Sequence, residues 1–265
     1  LSTLSPSAEI RYTTDGSLPT EAGLLYSGPI SLTNSALVRA RAFQAGFTPG
    51  KVKGEAYLRI SGTAANQTSD LPIVVIDNFG AGAIPNNIDL QPSYFSLFEP
   101  DPVTGRTNLT SLPTKANRAG IKRRGSSTLN DPKGNYRIEF WQDDSEEDRS
   151  LNLLGMSDHD EWVLFAPYNF DRSLMRIPFL HSLSNDMGTY APRTKFVELY
   201  LNTGGSPASL DYQGVYVLQE RISRGNDRID VERLDKNDTF GESVTGGYIL
   251  SIDRLDSTDQ GFRSS

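Results

Sequence analysis

Apolar and polar residues alternate with period two along most of this chain, and one segment alone repeats its apolar positions at helical spacing. In "AEIRYTTDGSLPT", Ile10 and Tyr12 point one way before a turn at Asp15-Gly16; in "ALVRARAFQAG", Val38, Ala40 and Ala42 face away from Leu37, Arg39, Arg41 and Phe43. Period-two patterning punctuated by Asp-Gly, Gly-Pro and Pro-Gly predicts antiparallel strands. With "LLYSGPISLT" between them, residues 1–60 are predicted to form a small β-sandwich. Residues 61–70, "SGTAANQTSD", are polar and apolar-poor, as a linker is.

A second unit, residues 71–265, is expected to open at "LPIVVIDNFG", whose unbroken apolar run suits a strand buried on both faces. Residues 80–118, rich in Pro, Asn and Gly, predict loops wound around the core. Strand patterns follow in "AGIKRRG", "NYRIEFW" with Tyr136, Ile138 and Phe140 on one face, "EWVLFAP", "KFVELYL", "GVYVLQERI" and "GGYILSID". The helix is predicted in "DRSLMRIPFLHSLSNDMG", with Asp171 capping its start, Gly188 its end, and Leu180, Leu183 and Met187 at helical spacing. Pro178 predicts a kink or a second start. The expected fold class is α+β: a small all-β sandwich, then a mostly antiparallel sheet with few helices.

A composition of 37% apolar and 22% charged residues is that of a globular protein, and no apolar run is long enough to span a bilayer. The formal net charge of −7 argues against a nucleic-acid polymer as partner, because duplex affinity comes from a broad basic surface. With no cysteine and only His159 and His181, disulfides, thiolate chemistry and histidine-rich metal sites are excluded. Oxygen-ligand sites for hard cations remain open. The acidic run Asp143 to Asp148 lacks the spacing of a calcium loop and reads as a charged hairpin.

Against this acidic background, Lys115, Arg118, Lys122, Arg123, Arg124, Lys133 and Arg137 crowd a stretch whose one acid is Asp131. By themselves they are a solvated basic face or an anion site. Arg124-Gly125-Ser126-Ser127 closes a predicted strand. There a glycine lets backbone N–H groups approach an anion, the hydroxyls donate and the guanidinium offers a fork. Arg176 stands near a helix N-terminus, where anions are favoured, and equally within reach of Asp171 or Glu198 in the predicted fold. Glu220 reads as an edge glutamate with Arg221 and Arg224 as nearby bases, and Asp253 as a carboxylate at a strand tip or in a turn.

Residues 1–60, through "YTTDGSLPT", "LYSGPISL" and "LVRARAF", resemble the small accessory β-sandwich at the end of chitobiase and related hexosaminidases. Residues 72–265 resemble the CotH family of atypical secreted protein kinases. That likeness rests on "RAGIKRRGSSTLNDPKGNYRIEF", "LLGMSDHDEWVLFAPYNFDRSLMR", "RTKFVELYLN", "YQGVYVLQERI" and "VTGGYILSID" in that order. It implies an extracellular enzyme that uses ATP and magnesium to phosphorylate Ser or Thr of a secreted or cell-surface protein. Arg124, Gly125, Ser126, Ser127, Lys133 and Arg176 would then hold the nucleotide, and Glu220 would pair with Lys133. Gly134 stands where the family often has a second lysine, and Ile177 where it commonly has Asn.

The family's downstream carboxylate segments, one with His-Asn and one with Trp-Asp, have no counterpart here: neither histidine precedes Asn and neither Trp141 nor Trp162 precedes Asp. The chain is therefore expected to end before the magnesium-holding groups. Two other functions stay open, an adhesive or pseudokinase module and a carbohydrate-associated binder using Tyr12 or Tyr26.

Overall fold

The structure, a computed structural model, describes residues 1–60, 62–86, 89–204 and 210–249. The chain divides into Leu1–Arg221 and Ile222–Ser265. The second unit, in its described part, is irregular apart from a parallel bridge between Arg224 and Ile229 and a short 3-10 turn at Glu242–Val244.

The first four strands are β1 (Glu9–Thr13), β2 (Leu24–Leu25), β3 (Ala36–Phe43) and β4 (Lys53–Tyr57), paired antiparallel in the order β2-β1-β3-β4. Asp15-Gly16 turns as expected, with the Asp15 Oδ1 accepting from the Ser17 N–H at 3.0 Å. The predicted sandwich is corrected to this single sheet. The face of β3 expected to be polar is also covered: the Arg39 side chain is buried, and donates to the Gly16 carbonyl at 2.9 Å and to the Asp143 carbonyl of the following domain. Val38 and Ala40, on the other face, are buried too.

Residues 62–66 make a 3-10 turn, followed by β5 (Thr68–Ser69) paired with β8 (Thr107–Asn108). The main body is a closed barrel. Its strands are β6 (Ile73–Asp77), β7 (Gln91–Phe98), β9 (Lys115–Arg124), β10 (Asn135–Phe140), β11 (Glu161–Phe165), β12 (Thr194–Asn202) and β13 (Asp211–Glu220). Around the barrel they run β10-β11-β13-β12-β6-β7-β9. Every pair is antiparallel except β6 with β12, so the mostly antiparallel expectation holds.

The run at β6 is buried on both faces: Val74 and Ile76 face the barrel interior, Ile73 and Val75 a second cluster with Phe98, Leu109 and Tyr200. The interior is filled by Trp162, Tyr216, Phe140, Phe95 and aliphatic side chains, with Phe95 and Phe140 edge to face at 5.1 Å. It is a packed core, not a pore.

Two expectations change. Residues 80–118 contain β7, β8 and the first part of β9 besides loops. Ser93 and Ser96 are buried beside Tyr94, Phe95, Leu97 and Phe98, so both faces are covered and the alternation that betrays a strand is lost. Gly246–Ile249 form no strand, and the rest of "GGYILSID", including Asp253, lies outside the described residues.

The predicted helix forms as α1 (Arg176–Asp186). Its N-cap is Met175, not Asp171, although the Asp171 Oδ2 accepts from the Arg176 N–H at 2.9 Å. Pro178 lies in the first turn, where a missing N–H costs nothing, and the helix runs on without a break. Leu180, Leu183 and Met187 share spacing but are exposed.

Candidate anion-binding site

The basic stretch parts into several directions, because strand neighbours point to opposite faces. Arg118 is buried and donates to the carbonyls of Gln142 and Ser145, stapling the acidic turn that links β10 back to Arg149. Arg123 points inward at the barrel mouth, across from Tyr136. Lys122 and Arg124 point outward.

The β9–β10 loop starts at Gly125, whose φ of 119° suits glycine, and a Cβ there would lie 2.4 Å from the Thr128 Oγ1. Ser126 and Ser127 are exposed at its tip. Arg124 is exposed too and has no hydrogen bond or ion pair with any described residue. Loss of water around it, and then the charges of Arg221 and Arg137, hold its pKa below the usual arginine value.

Lys133 closes the same loop. Its ammonium donates to the Val215 carbonyl at 2.6 Å, lies 3.4 Å from the Pro167 carbonyl and sits 4.8 Å from the Tyr216 ring centroid. Burial lowers its pKa. Tyr216 in turn donates to the Gly134 carbonyl at 3.0 Å. A Cβ at position 134 would approach the Arg123 Nε to 2.8 Å, so Arg123 occupies the space a side chain there would need.

The structure therefore brings Arg124, Gly125, Ser126, Ser127 and Lys133 onto one loop. The segment leaving β11 at the same barrel end leads to Arg176, which lies 3.7 Å from the Asp171 carboxylate and donates to the Phe170 carbonyl at 3.4 Å. Glu220 is elsewhere. Five residues beyond Val215 on a strand, it is about 17 Å from the Lys133 contact. The expected Lys133–Glu220 pair is corrected: the fully buried Glu220 pairs with the Arg193 guanidinium at 2.8 Å. It also accepts from the Arg193 N–H at 3.1 Å and from the Tyr190 and Ser157 hydroxyls at 3.2 Å each. The strand keeps the two side chains apart, and the local partners satisfy each.

Sequence reasoning placed Arg137 only within the basic stretch and Arg221 only as a base near Glu220. Both ion-pair with Glu161, and Arg137 also with Glu139 at 2.6 Å. The signal was present: Tyr136, Ile138 and Phe140 on one face of β10 put Arg137 on the other.

Among the described residues, no three His, Asp or Glu side chains gather as a metal site. What the arrangement offers is phosphate chemistry: forked donors, hydroxyls and exposed main chain at one barrel end.

Residues 121–264 match the family described as CotH kinase protein, and residues 1–54 match the chitobiase/beta-hexosaminidase C-terminal domain. The first match spans more than half of the chain, and the chain belongs to the CotH kinase protein family. No curated protein gives a match. No described helix is long and apolar enough to cross a membrane.

Proposed function

We propose that this chain is the nucleotide-holding part of a secreted CotH-type protein kinase that transfers phosphate from ATP to Ser or Thr of an extracellular or cell-surface protein. On this reading residues 1–60 are an accessory domain, 61–70 a linker and 71–265 the first part of a kinase-like domain. Support comes from the family membership and from one observation: Arg124 stands exposed and unpaired among the described residues beside the Gly125-Ser126-Ser127 loop. A protein kinase covers the phosphates with a glycine-containing loop between strands, and pairs a lysine of its third strand with a glutamate of the next helix. Here β9, the loop, β10, β11, α1, β12 and β13 follow in that order. β11 has no lysine and α1 no glutamate, so the charge must come from the first two strands.

In this scheme Arg124 and the loop N–H groups receive the phosphates. Lys133 anchors the loop and adds positive charge, and Arg176 stands at the helix entrance. Glu220 supports the fold instead of contacting the cofactor. Calorimetric titration with ATP and magnesium tests the reading. Arg124→Ala is expected to weaken binding at least tenfold, and equal affinity in both proteins sinks it. A second reading, a non-catalytic extracellular module, is favoured by the complete local pairing of Glu220. Nucleotide binding without phosphate transfer to any acceptor protein would select it.

A further inference from the structure

A bulge sets two tyrosines side by side on the outside of the barrel. β12 and β13 pair regularly from Thr194 with Gln219 to Leu199 with Gly214, and then shift, so that Tyr200 lies opposite Tyr212 instead of Gln213. Gln213 is the extra residue, taken up beside Gly214, whose φ of 93° favours glycine. Tyr216 and Leu218 face the barrel interior, so a regular strand would turn Tyr212 inward with them. The shift turns it out. Its ring centroid stands 5.1 Å from that of Tyr200, the planes tilted by 45°.

Glu198, two residues before Tyr200 on β12, shares that face. Its Oε1 accepts from the hydroxyl of the buried Ser69 at 2.9 Å, which fixes the carboxylate, and it has no ion pair with any described residue. Glu198, Tyr200 and Tyr212 line a pocket of about 290 Å³ together with Thr63, Gln67 and Thr68 from the segment before β6. Burial, and then the Glu198 charge, raise the pKa of both tyrosine hydroxyls, so the field of the carboxylate reaches both rings. Arg106 touches the wall at the Thr68 carbonyl but is paired with Asp70. No basic residue lines the pocket.

A carboxylate and two electron-rich rings repel an anion, and a neutral alkyl group would leave the carboxylate unmatched. A cation is attracted by all three. The volume lies just under the usual range for ligand pockets, about 300–1,000 Å³, and so suits a group the size of a side chain. We infer that Glu198, Tyr200 and Tyr212 form a binding site for an alkylammonium group, carried by a lysine side chain or by a free amine. Glu198 and the two rings contact the ammonium, and Ser69 positions the carboxylate. The site stands apart from the β9–β10 loop and is independent of the nucleotide reading.

The experiment titrates the full chain, carrying isotope-labelled tyrosine rings, by NMR with Nα-acetyl-lysine amide, with cadaverine and, as a neutral match, with Nα-acetyl-norleucine amide. The Tyr200 and Tyr212 ring signals, identified through Tyr200→Phe and Tyr212→Phe, are expected to shift with both amines, and the norleucine compound to bind at least tenfold more weakly. Glu198→Gln is expected to weaken the amines at least tenfold and Tyr212→Ala at least fivefold, while Tyr212→Phe, which keeps the ring, changes them less than twofold. Tighter binding of the lysine amide identifies a polypeptide as the source and tighter binding of cadaverine a free amine, and either supports the inference. Equal binding of the lysine and norleucine amides, unchanged affinity in Glu198→Gln, or no shift of either ring overturns it. So does binding of a neutral sugar such as glucose at these rings when the amines do not bind. Should Glu198→Gln fail to fold, Tyr212→Ala, at an exposed position, decides, and unchanged affinity there overturns the inference. Tyr212→Ala is expected to leave ATP binding unchanged, so failure of this site and failure of the nucleotide reading are told apart.

Discussion

Lys133 and Glu220 meet different parts of β13: the ammonium of the first rests on the Val215 carbonyl in mid-strand, and the carboxylate of the second, the last residue of the strand, closes on Arg193. Each is fixed by its own neighbours. Removing either tests a separate region of the barrel.

Glu220→Ala leaves Arg193 without its carboxylate and strips partners from Tyr190 and Ser157. Breaking a buried pair costs about 3–5 kcal/mol, and the partial exposure of Arg193 reduces this to about 2–4 kcal/mol. Urea unfolding monitored by tryptophan fluorescence measures it. A loss below 1 kcal/mol would show that the network contributes little.

Lys133→Met keeps the aliphatic stem over Tyr216 but withdraws the donor from the Val215 carbonyl. The expected destabilisation is about 0.5–1.5 kcal/mol, the net contribution of one hydrogen bond at a partly buried carbonyl. Faster hydrogen exchange should be confined to the β9–β10 loop and the start of β10.

Gly120→Ala puts a Cβ 2.3 Å from the Trp141 ring and 2.8 Å from the Leu90 Cβ. The indole cannot yield without disturbing the Arg118 guanidinium over it, 5.9 Å from its centroid. Overpacking of this kind costs about 1–3 kcal/mol. A fall in the thermal midpoint of several degrees, with a shifted tryptophan emission, is the outcome to look for.

His181 adds a pH dependence. Burial lowers its pKa, opposed by a backbone contact at Pro192, and its Nδ1 has no hydrogen-bond partner among the described residues. Below the ordinary histidine pKa of about 6.5 the unfolded chain takes up the proton first. The unfolded state then binds more protons, so stability declines as pH drops from that value toward the lowered native one. Urea midpoints at pH 7.5 and 5.5 should differ more in the wild type than in His181→Gln. Equal differences would remove this residue from the account.

Arg39→Leu removes the link between β3 and the acidic turn at Asp143. Limited proteolysis should then cut between the first sheet and the barrel sooner than in the wild type, while the melting of the barrel itself changes little.

Much of this was legible in the order of the residues. The strands β9 to β13, the helix between β11 and β12, the turn at Asp15-Gly16 and the basic stretch all follow from period, punctuation and charge, which are local properties. β7 was not legible, because burial on both faces erases alternation. Nor was the burial of Arg39 in the first sheet, because its contact with the Asp143 carbonyl joins residues distant in sequence.

The sequence by itself determined that positive charge would crowd around a Gly-Ser-Ser loop, and that β10 would turn its aromatic residues one way and Arg137 the other. Only the tertiary structure decided which charges meet. Strand pairing brought Arg221 to Glu161 from far along the chain, and turned Arg123 inward while Arg124 faced out. It also gave Glu220 to Arg193 instead of Lys133. A side chain's partner depends on register across strands distant in sequence, and no local pattern encodes that distance.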